Sequence, residues 1–247
     1  KNIKKYASRK NYSKSGSIKW NKRYLFIFNL FLQKKIFDET KKIDLRSNFD
    51  AYFTSFFNSY INYRDKKIIN HKKIITAFLP RLNLKKKNIK IFFEIYPNGK
   101  IINIVRDPIS WLASSTKHSL DYVNPNKSLI LWLKSAKFSY NNINKNKKIL
   151  ILTFEELIKN TPNTIKKILN FLDLGFEDTL LIPTFNGKPI LSDSSFKTVE
   201  GKIDKQVLDR KKFLEKKVFD KIDKKLLSEC KLFYKKLTNE LKYKRIY

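Results

Sequence analysis

The clearest feature of the chain is a pair of short apolar runs, each followed by residues that favour the start of a helix. Residues 101–105 read Ile-Ile-Asn-Ile-Val, and residues 149–153 read Ile-Leu-Ile-Leu-Thr. Apolar runs of this length are typical of parallel strands that helices cover on both faces. We therefore predict that both runs are central strands of a parallel sheet, and that residues 73–78 form a further strand.

Around these runs, apolar residues recur at intervals of three and four, which predicts helices. The predicted helices are residues 24–37, 48–63, 83–96, 109–118, 127–140, 161–172 and 205–247. We expect the aromatic stripe within residues 48–63 to face the core. The pattern predicts an α/β fold, with one domain over residues 1–247.

The turn after the first central strand combines several features of an anion site. Asp107 can cap a helix, and Pro108 suits the first helical position, where an N–H has no partner. Ligands of open α/β sheets bind at the carboxyl ends of strands, and helix N-termini favour anions. Arg106, at the strand tip, could bind a phosphate through its fork of N–H groups, and Ser114, two turns into the helix, could add a hydroxyl donor.

This segment resembles the 3′-phosphate-binding segment of sulfotransferases, in which Arg-Asp-Pro is followed by Ser at the same spacing. These enzymes use 3′-phosphoadenosine 5′-phosphosulfate (PAPS). Residues 149–157, with their Glu-Glu-Leu turn and the helix that ends in Phe-Leu at residue 172, resemble a second segment of the family. Pro-Thr-Phe-Asn-Gly at residues 183–187, followed by Ser-Ser-Phe at 194–196, resembles a loop of its bacterial branch.

The resemblance implies a P-loop-NTPase-like, three-layer fold with a central parallel sheet flanked by helices. It implies transfer of a sulfuryl group from PAPS to a hydroxyl or amine acceptor, without a metal. On this basis Arg106 and Ser114 contact the 3′-phosphate. Lys197 and Lys202 are candidates in the segment that closes over the nucleotide in the family, although the alternative of ordinary exposed lysines is slightly favoured.

Two departures from the family pattern put the activity of this chain in doubt. Ser15-Gly16-Ser17 is a faint counterpart of the loop that cradles the 5′-phosphosulfate, but no apolar strand precedes it. We expect the first strand and this loop to lie upstream of Lys1. Ala77 and Phe78 stand where family members carry a catalytic His or Glu, so no base is named. Arg81 is a candidate charge stabiliser only, because Arg cannot act as a base.

The formal charge of +32 leaves a second interpretation open, a non-catalytic basic protein that binds nucleic acid or another polyanion. Only eight of the 54 basic residues are Arg, and they are scattered, which disfavours a nucleic-acid reader. Abundant Lys, Asn and Ile are typical of AT-rich genomes, so composition explains much of the charge.

No Cys/His spacing suits zinc, and the apolar run near residue 24 is too short to span a bilayer. We expect a cytoplasmic protein; the acceptor stays open.

Overall fold

The computed structural model describes residues 26–28, 30–41, 43–62, 74–118, 120–143, 145–185, 188–189 and 199–243. The chain divides into two compact units. One comprises residues 1–78 with 185–188, and the other comprises residues 79–184 with 189–247. No helix in the described ranges is both long and apolar enough to cross a membrane.

The first unit contains a short antiparallel pair and two helices. Strand β1 (Phe26–Phe28) pairs with β2 (Tyr60–Asn62), and helices α1 (Leu30–Thr40) and α2 (Leu45–Asn58) lie between them in sequence. Asp44 caps α2 by accepting a hydrogen bond from the backbone N–H of Ser47 at 2.8 Å. The helix predicted over residues 24–37 is therefore partly wrong, since it begins with a strand.

The aromatic stripe of α2 does not form the core that we predicted for it. Ala51 and Ser55 are buried, whereas Phe49, Tyr52 and Phe57 are 41%, 39% and 48% exposed. Small side chains on the buried side of a helix allow close packing, and the rings instead stack along the helix, as with Tyr52 on Phe56 at 6.3 Å. The prediction of a helix from this period was right, but the prediction that its aromatic side faces the core was wrong.

The second unit is built on two parallel strands, β3 (Ile101–Val105) and β4 (Ile149–Thr153), paired from Ile101 with Ile149 to Val105 with Thr153. Its helices are α3 (Lys86–Ile95), α4 (Pro108–His118), α5 (Pro125–Asn142), α6 (Phe154–Lys159), α7 (Thr161–Leu172), α8 (Lys216–Phe219) and α9 (Lys224–Tyr243). Shorter elements of this unit are 3₁₀ segments at Leu82–Leu84, Leu120–Tyr122, Asp178–Leu181 and Lys205–Phe213. The chain also contains the two-residue strands β5 (Thr184–Phe185) and β6 (Lys188–Pro189). A parallel sheet with helices confirms the α/β class.

The helix starts follow the chemistry of their first residues. Asn124 accepts a hydrogen bond from the N–H of Lys127 at 3.0 Å, and Pro125 opens α5. Thr153 likewise accepts from the N–H of Glu156 at 3.2 Å, which begins α6 directly after β4. The Glu-Glu-Leu turn noted in the sequence lies in this helix.

The core of the second unit lies where α4, α5 and α9 meet the sheet. Its fully buried apolar side chains include Leu112, Leu129 and Leu237, each 0% exposed. Burial of such a side chain contributes about 1.5–3 kcal/mol. The other face of β3 is more exposed, with Ile102 and Ile104 at 36% and 46% exposure. Both strands are confirmed, but burial of β3 on both faces is not seen.

Two further predictions are wrong in detail. Of the strand predicted over residues 73–78, the described residues 74–78 form no strand, because they have no ladder partner among the described residues. Phe78 is 90% exposed. The helix predicted over 205–247 is broken into the 3₁₀ segment, α8 and α9. A new cap causes the last break, since Asp223 accepts from the N–H of Leu226 at 2.7 Å. Phe213, at the end of the 3₁₀ segment, is 47% exposed.

Cys230, on α9, should be unreactive in the folded protein. Its thiol is fully buried, and burial raises its pKa from 9.0 to about 11. Since the thiolate is the nucleophile, a rise of two units lowers the reactive fraction about 100-fold near neutral pH, and burial adds to the protection. We expect labelling by iodoacetamide at pH 8 to be at least about 100-fold slower for the native chain than in guanidinium chloride. Similar rates in both conditions would show that Cys230 is accessible.

Candidate functional site

The turn from β3 into α4 is built as its sequence predicted. Helix α4 begins at Pro108, which is buried, and Asp107 accepts a hydrogen bond from the N–H of Ser110 at 2.8 Å. Asp107 therefore caps the helix at the carboxyl end of β3. The positive end of the helix dipole favours negative charge at this first turn, and the Asp107 carboxylate supplies one.

Arg106 leaves the tip of β3 and is held on two sides. Its Nη2 donates to the backbone carbonyl of Val207 at 2.5 Å, and its Cζ lies 4.3 Å from the ring centroid of Phe154. Phe154 is the first residue after β4, so the guanidinium lies at the shared carboxyl edge of the two strands. Its Nε is buried and has no hydrogen-bond acceptor among the described residues. One strong donor at this edge therefore remains unused.

Charges of both signs surround Arg106, since Glu155, Asp107 and Arg210 all act on its guanidinium. Burial lowers the pKa of the Arg106 guanidinium; the Glu155 carboxylate opposes this, and the nearby Arg210 adds to it. Arg106 still carries its charge, because guanidinium groups do not deprotonate in proteins. Arg210 is itself 5% exposed. The carboxylates of Glu155 and Asp107 offset the repulsion between these two buried cations.

The peptide group between Arg106 and Asp107 is held at both ends by side chains. Trp132 Nε1 donates to the carbonyl of Arg106 at 2.9 Å, and the N–H of Asp107 donates to Glu155 Oε1 at 3.0 Å. The second carboxylate oxygen of Glu155 accepts from the hydroxyl of Tyr234 at 2.5 Å. Three helices, α5, α6 and α9, therefore contribute to this turn.

A shallow cleft of about 350 Å³ opens beside Asp107. Its other lining residues are Ile109, Lys211, Lys212, Leu214, Phe219 and Lys231. Three lysines in one cleft at the start of α4 extend the positive potential of the turn.

The other predicted site residues are placed less tightly. Ser114 is half-buried, and its hydroxyl forms no hydrogen bond with a described residue, whereas Thr116 donates to the carbonyl of Leu112 at 3.0 Å. Lys202 is exposed and lies just before the segment that supplies Val207. Lys197 lies outside the described residues.

Arg81 is engaged elsewhere, in an exposed ion pair with Asp121 at 2.6 Å and over the ring of Tyr122 at 5.8 Å. The hydrogen bond that Arg81 donates to the Asp121 carboxylate raises the pKa of Arg81. Within the described part of the chain, no cluster of three or more His, Cys, Asp or Glu side chains could hold a metal ion.

A sulfotransferase family model matches residues 11–178, about two thirds of the chain. The chain belongs to the sulfotransferase family. This match covers Arg81, Arg106 and Ser114. It also covers Ser15-Gly16-Ser17, which lies outside the described residues, but not Lys197 or Lys202.

The solved structure of a sulfotransferase domain from the curacin biosynthetic pathway is similar to this sulfotransferase-family chain. It is 17% identical, with a TM-score of 0.49, over 84% of this chain and 78% of that one. This likeness is too distant to carry any argument about the site. No curated protein matches the chain.

Sequence reasoning missed Arg210, Glu155, Tyr234 and Trp132 as members of the site. One signal could have singled out Arg210: in a chain where Lys is the dominant basic residue, each of the eight Arg stands out. The uncharged Trp132 and Tyr234 lie in core helices, where their pattern indicates packing alone.

Proposed function

We propose that this chain transfers a sulfuryl group from PAPS to a hydroxyl or amine acceptor, and that Arg106 and Ser114 bind the 3′-phosphate of the donor. Membership of the sulfotransferase family supports sulfuryl transfer in general. The observation that carries the finer proposal is the unused, buried Nε of Arg106 at the carboxyl edge of the sheet. It lies next to the N-terminus of a helix, where anions are favoured.

The donor groups present here fit a phosphate. Arg106 offers an unused N–H, Ser114 offers a hydroxyl with no described partner, and Arg210 adds a nearby buried charge. Charged hydrogen bonds of this kind contribute about 1.5–3 kcal/mol each. A phosphate has several acceptor oxygens, and these would accept hydrogen bonds from the Arg106 Nε–H and the Ser114 hydroxyl.

In the proposed reaction, the S–O bond between the sulfuryl group and the 5′-phosphate breaks as a new bond forms between sulfur and the acceptor oxygen or nitrogen. The products are the sulfated acceptor and 3′-phosphoadenosine 5′-phosphate (PAP), and the acceptor proton passes to a base or to solvent. Binding at the 3′-phosphate does not take part in this bond exchange. It holds the donor so that the reacting group is positioned for attack.

We also propose Lys197 and Lys202 as cations of a loop that covers the nucleotide. Lys202 is exposed and lies just before the 3₁₀ segment that contains Val207, whose carbonyl accepts a hydrogen bond from Arg106. Lys202 and Val207 therefore lie on one continuous stretch of chain. Arg81 is proposed as a charge stabiliser at the sulfuryl group. For that role it would have to exchange its partner Asp121 for the substrate.

The proposal is tested by calorimetric titration of the chain with PAP and with AMP, which lacks the 3′-phosphate. We expect PAP to bind more tightly. Ser114→Ala should weaken PAP by about two- to tenfold and leave AMP unchanged, because a neutral hydroxyl donor to the 3′-phosphate is lost. Ser115→Ala is the control, since Ser115 already donates to the carbonyl of Leu112 at 3.2 Å.

Equal affinity of the wild-type chain for PAP and AMP would contradict recognition of the 3′-phosphate. A chain that bound any polyanion, such as heparin or single-stranded DNA, but neither nucleotide, would favour the non-catalytic alternative. Both outcomes can be read from the same titration format.

A further inference from the structure

Side chains hydrogen-bond both ends of the peptide group between Arg106 and Asp107. Its carbonyl accepts from Trp132 Nε1 at 2.9 Å, and its N–H donates to Glu155 Oε1 at 3.0 Å. A peptide group is planar, so bonds at both ends fix the direction of the whole plane. This plane determines how the Arg106 side chain leaves the strand and how α4 begins.

Glu155 is in turn held by a residue far along the chain. The Tyr234 hydroxyl donates to Glu155 Oε2 at 2.5 Å, and the Tyr234 ring packs edge-on against Trp132 at 6.3 Å. Burial, together with the neighbouring Glu155 carboxylate, raises the pKa of Tyr234, so its hydroxyl keeps its proton. The two side chains that hold the peptide group are therefore linked to each other through Tyr234.

We infer that Glu155 and Tyr234 are positioning residues for the donor site: Tyr234 orients the Glu155 carboxylate, which fixes the peptide group that directs Arg106. This inference rests on the proposed function, since it concerns the same phosphate site. Neither residue touches the donor in this scheme. Their contribution is to hold Arg106 in the geometry that binds phosphate.

Charge and positioning predict opposite effects at Glu155, which makes the inference testable. Glu155 is a negative charge beside an anion site, so its removal should strengthen anion binding if only charge matters. If the hydrogen bonds matter, removal should weaken binding. A glutamine separates the two, because its amide oxygen can accept from Asp107 and its NH₂ can donate to the Tyr234 oxygen.

The experiment is calorimetric titration of four variants with PAP and AMP. We expect Tyr234→Phe, which keeps the ring and the Glu155 charge, to weaken PAP about three- to tenfold. Glu155→Ala should weaken it at least as much. Glu155→Gln should bind PAP as well as the wild-type chain or better. The double variant with both Glu155→Ala and Tyr234→Phe should bind no more weakly than Glu155→Ala alone, because Tyr234 acts through Glu155.

A matched control is Tyr140→Phe. Tyr140 lies on α5 and packs edge-on against Phe233 of α9 at 5.5 Å, so it is also an aromatic contact between these helices. This control should leave PAP affinity unchanged. Affinity for AMP should be unaffected by all of these substitutions, since a general loss of structure would weaken both nucleotides.

Each outcome decides the inference. Suppose that the wild-type chain binds PAP more tightly than AMP, while both Tyr234→Phe and Glu155→Ala bind PAP with wild-type affinity. The positioning role would then be wrong, and the proposed function would stand. If Glu155→Gln is as weak as Glu155→Ala, or if PAP and AMP weaken together, the effect is not positioning by hydrogen bonds. If the wild-type chain does not prefer PAP, the proposed function fails and this inference fails with it. Should Tyr234→Phe not fold, the comparison of Glu155→Gln with Glu155→Ala still decides.

Discussion

Replacement of Arg106 by Ala should weaken the binding of PAP by roughly ten- to hundredfold, as expected for the loss of a charged hydrogen bond of about 1.5–3 kcal/mol. The guanidinium lies at the carboxyl edge of the sheet, stacked on Phe154, with one buried N–H that has no described acceptor. AMP should lose far less affinity, because it lacks the 3′-phosphate that we propose Arg106 contacts. The measurement is calorimetric titration with both nucleotides.

Two further variants show whether the fork geometry of Arg106 matters. Arg106→Lys keeps the charge but loses the planar fork, so we expect an affinity between those of wild type and Arg106→Ala. Arg46→Ala is a control of the same residue type, since Arg46 pairs with Asp50 on the surface of α2 at 2.7 Å. A similar loss for PAP and AMP in Arg106→Ala, or no loss for either, would mean that Arg106 does not bind the 3′-phosphate.

Leu112→Ala should destabilise the fold more than any of the substitutions at the donor site. Leu112 lies on α4, is 0% exposed and belongs to the core of the second unit. Its truncation leaves a cavity next to tightly packed neighbours, with an expected loss of about 2–5 kcal/mol in the free energy of unfolding. For a chain of this size that corresponds to a decrease in Tm of about 4–20 °C.

The matched control is Leu232→Ala on α9, where the side chain is 55% exposed. This variant should change the free energy of unfolding by no more than about 0.5 kcal/mol. Urea denaturation followed by circular dichroism gives both values. Equal stabilities of the two variants would show that Leu112 is not part of a packed core in solution.

The elements that the sequence predicted well are those with local causes. Residues 101–105 and 149–153 form strands with the predicted bounds, and α4 begins at Pro108 because Asp107 and Pro108 are suited to a helix start. The cap at Thr153 also acts within three residues. In each case the residues that decide the structure are neighbours in the sequence, so the pattern alone is sufficient.

The predictions that were wrong depended on the surroundings of a segment. Residues 74–79 have the composition of a strand, yet a strand requires a hydrogen-bonding partner, and composition does not supply one. The aromatic stripe of α2 has a helical period, but the period does not say which side faces a neighbour. Burial of Ile102 and Ile104 was expected from their apolar character, and the described elements cover only the other face of β3.

The candidate site was predictable in part. The motif singled out Arg106 and Ser114, and its placement at a strand tip before a helix is confirmed. The contacts that hold Arg106 were not predictable, because Val207 is 101 residues away and Tyr234 is 79 residues from Glu155. No local pattern connects residues at such distances, whereas in the fold they contact the same turn.

The contact between Arg106 and Val207 also has a consequence for the order in which the protein matures during synthesis. The strand and helix that carry the phosphate motif leave the ribosome long before the 3₁₀ segment Lys205–Phe213 and the helix Lys224–Tyr243 are translated. A nascent chain that has both parallel strands still lacks the carbonyl that orients Arg106 and the hydroxyl that orients Glu155. The contacts around Arg106 are therefore completed late, when the last helix docks.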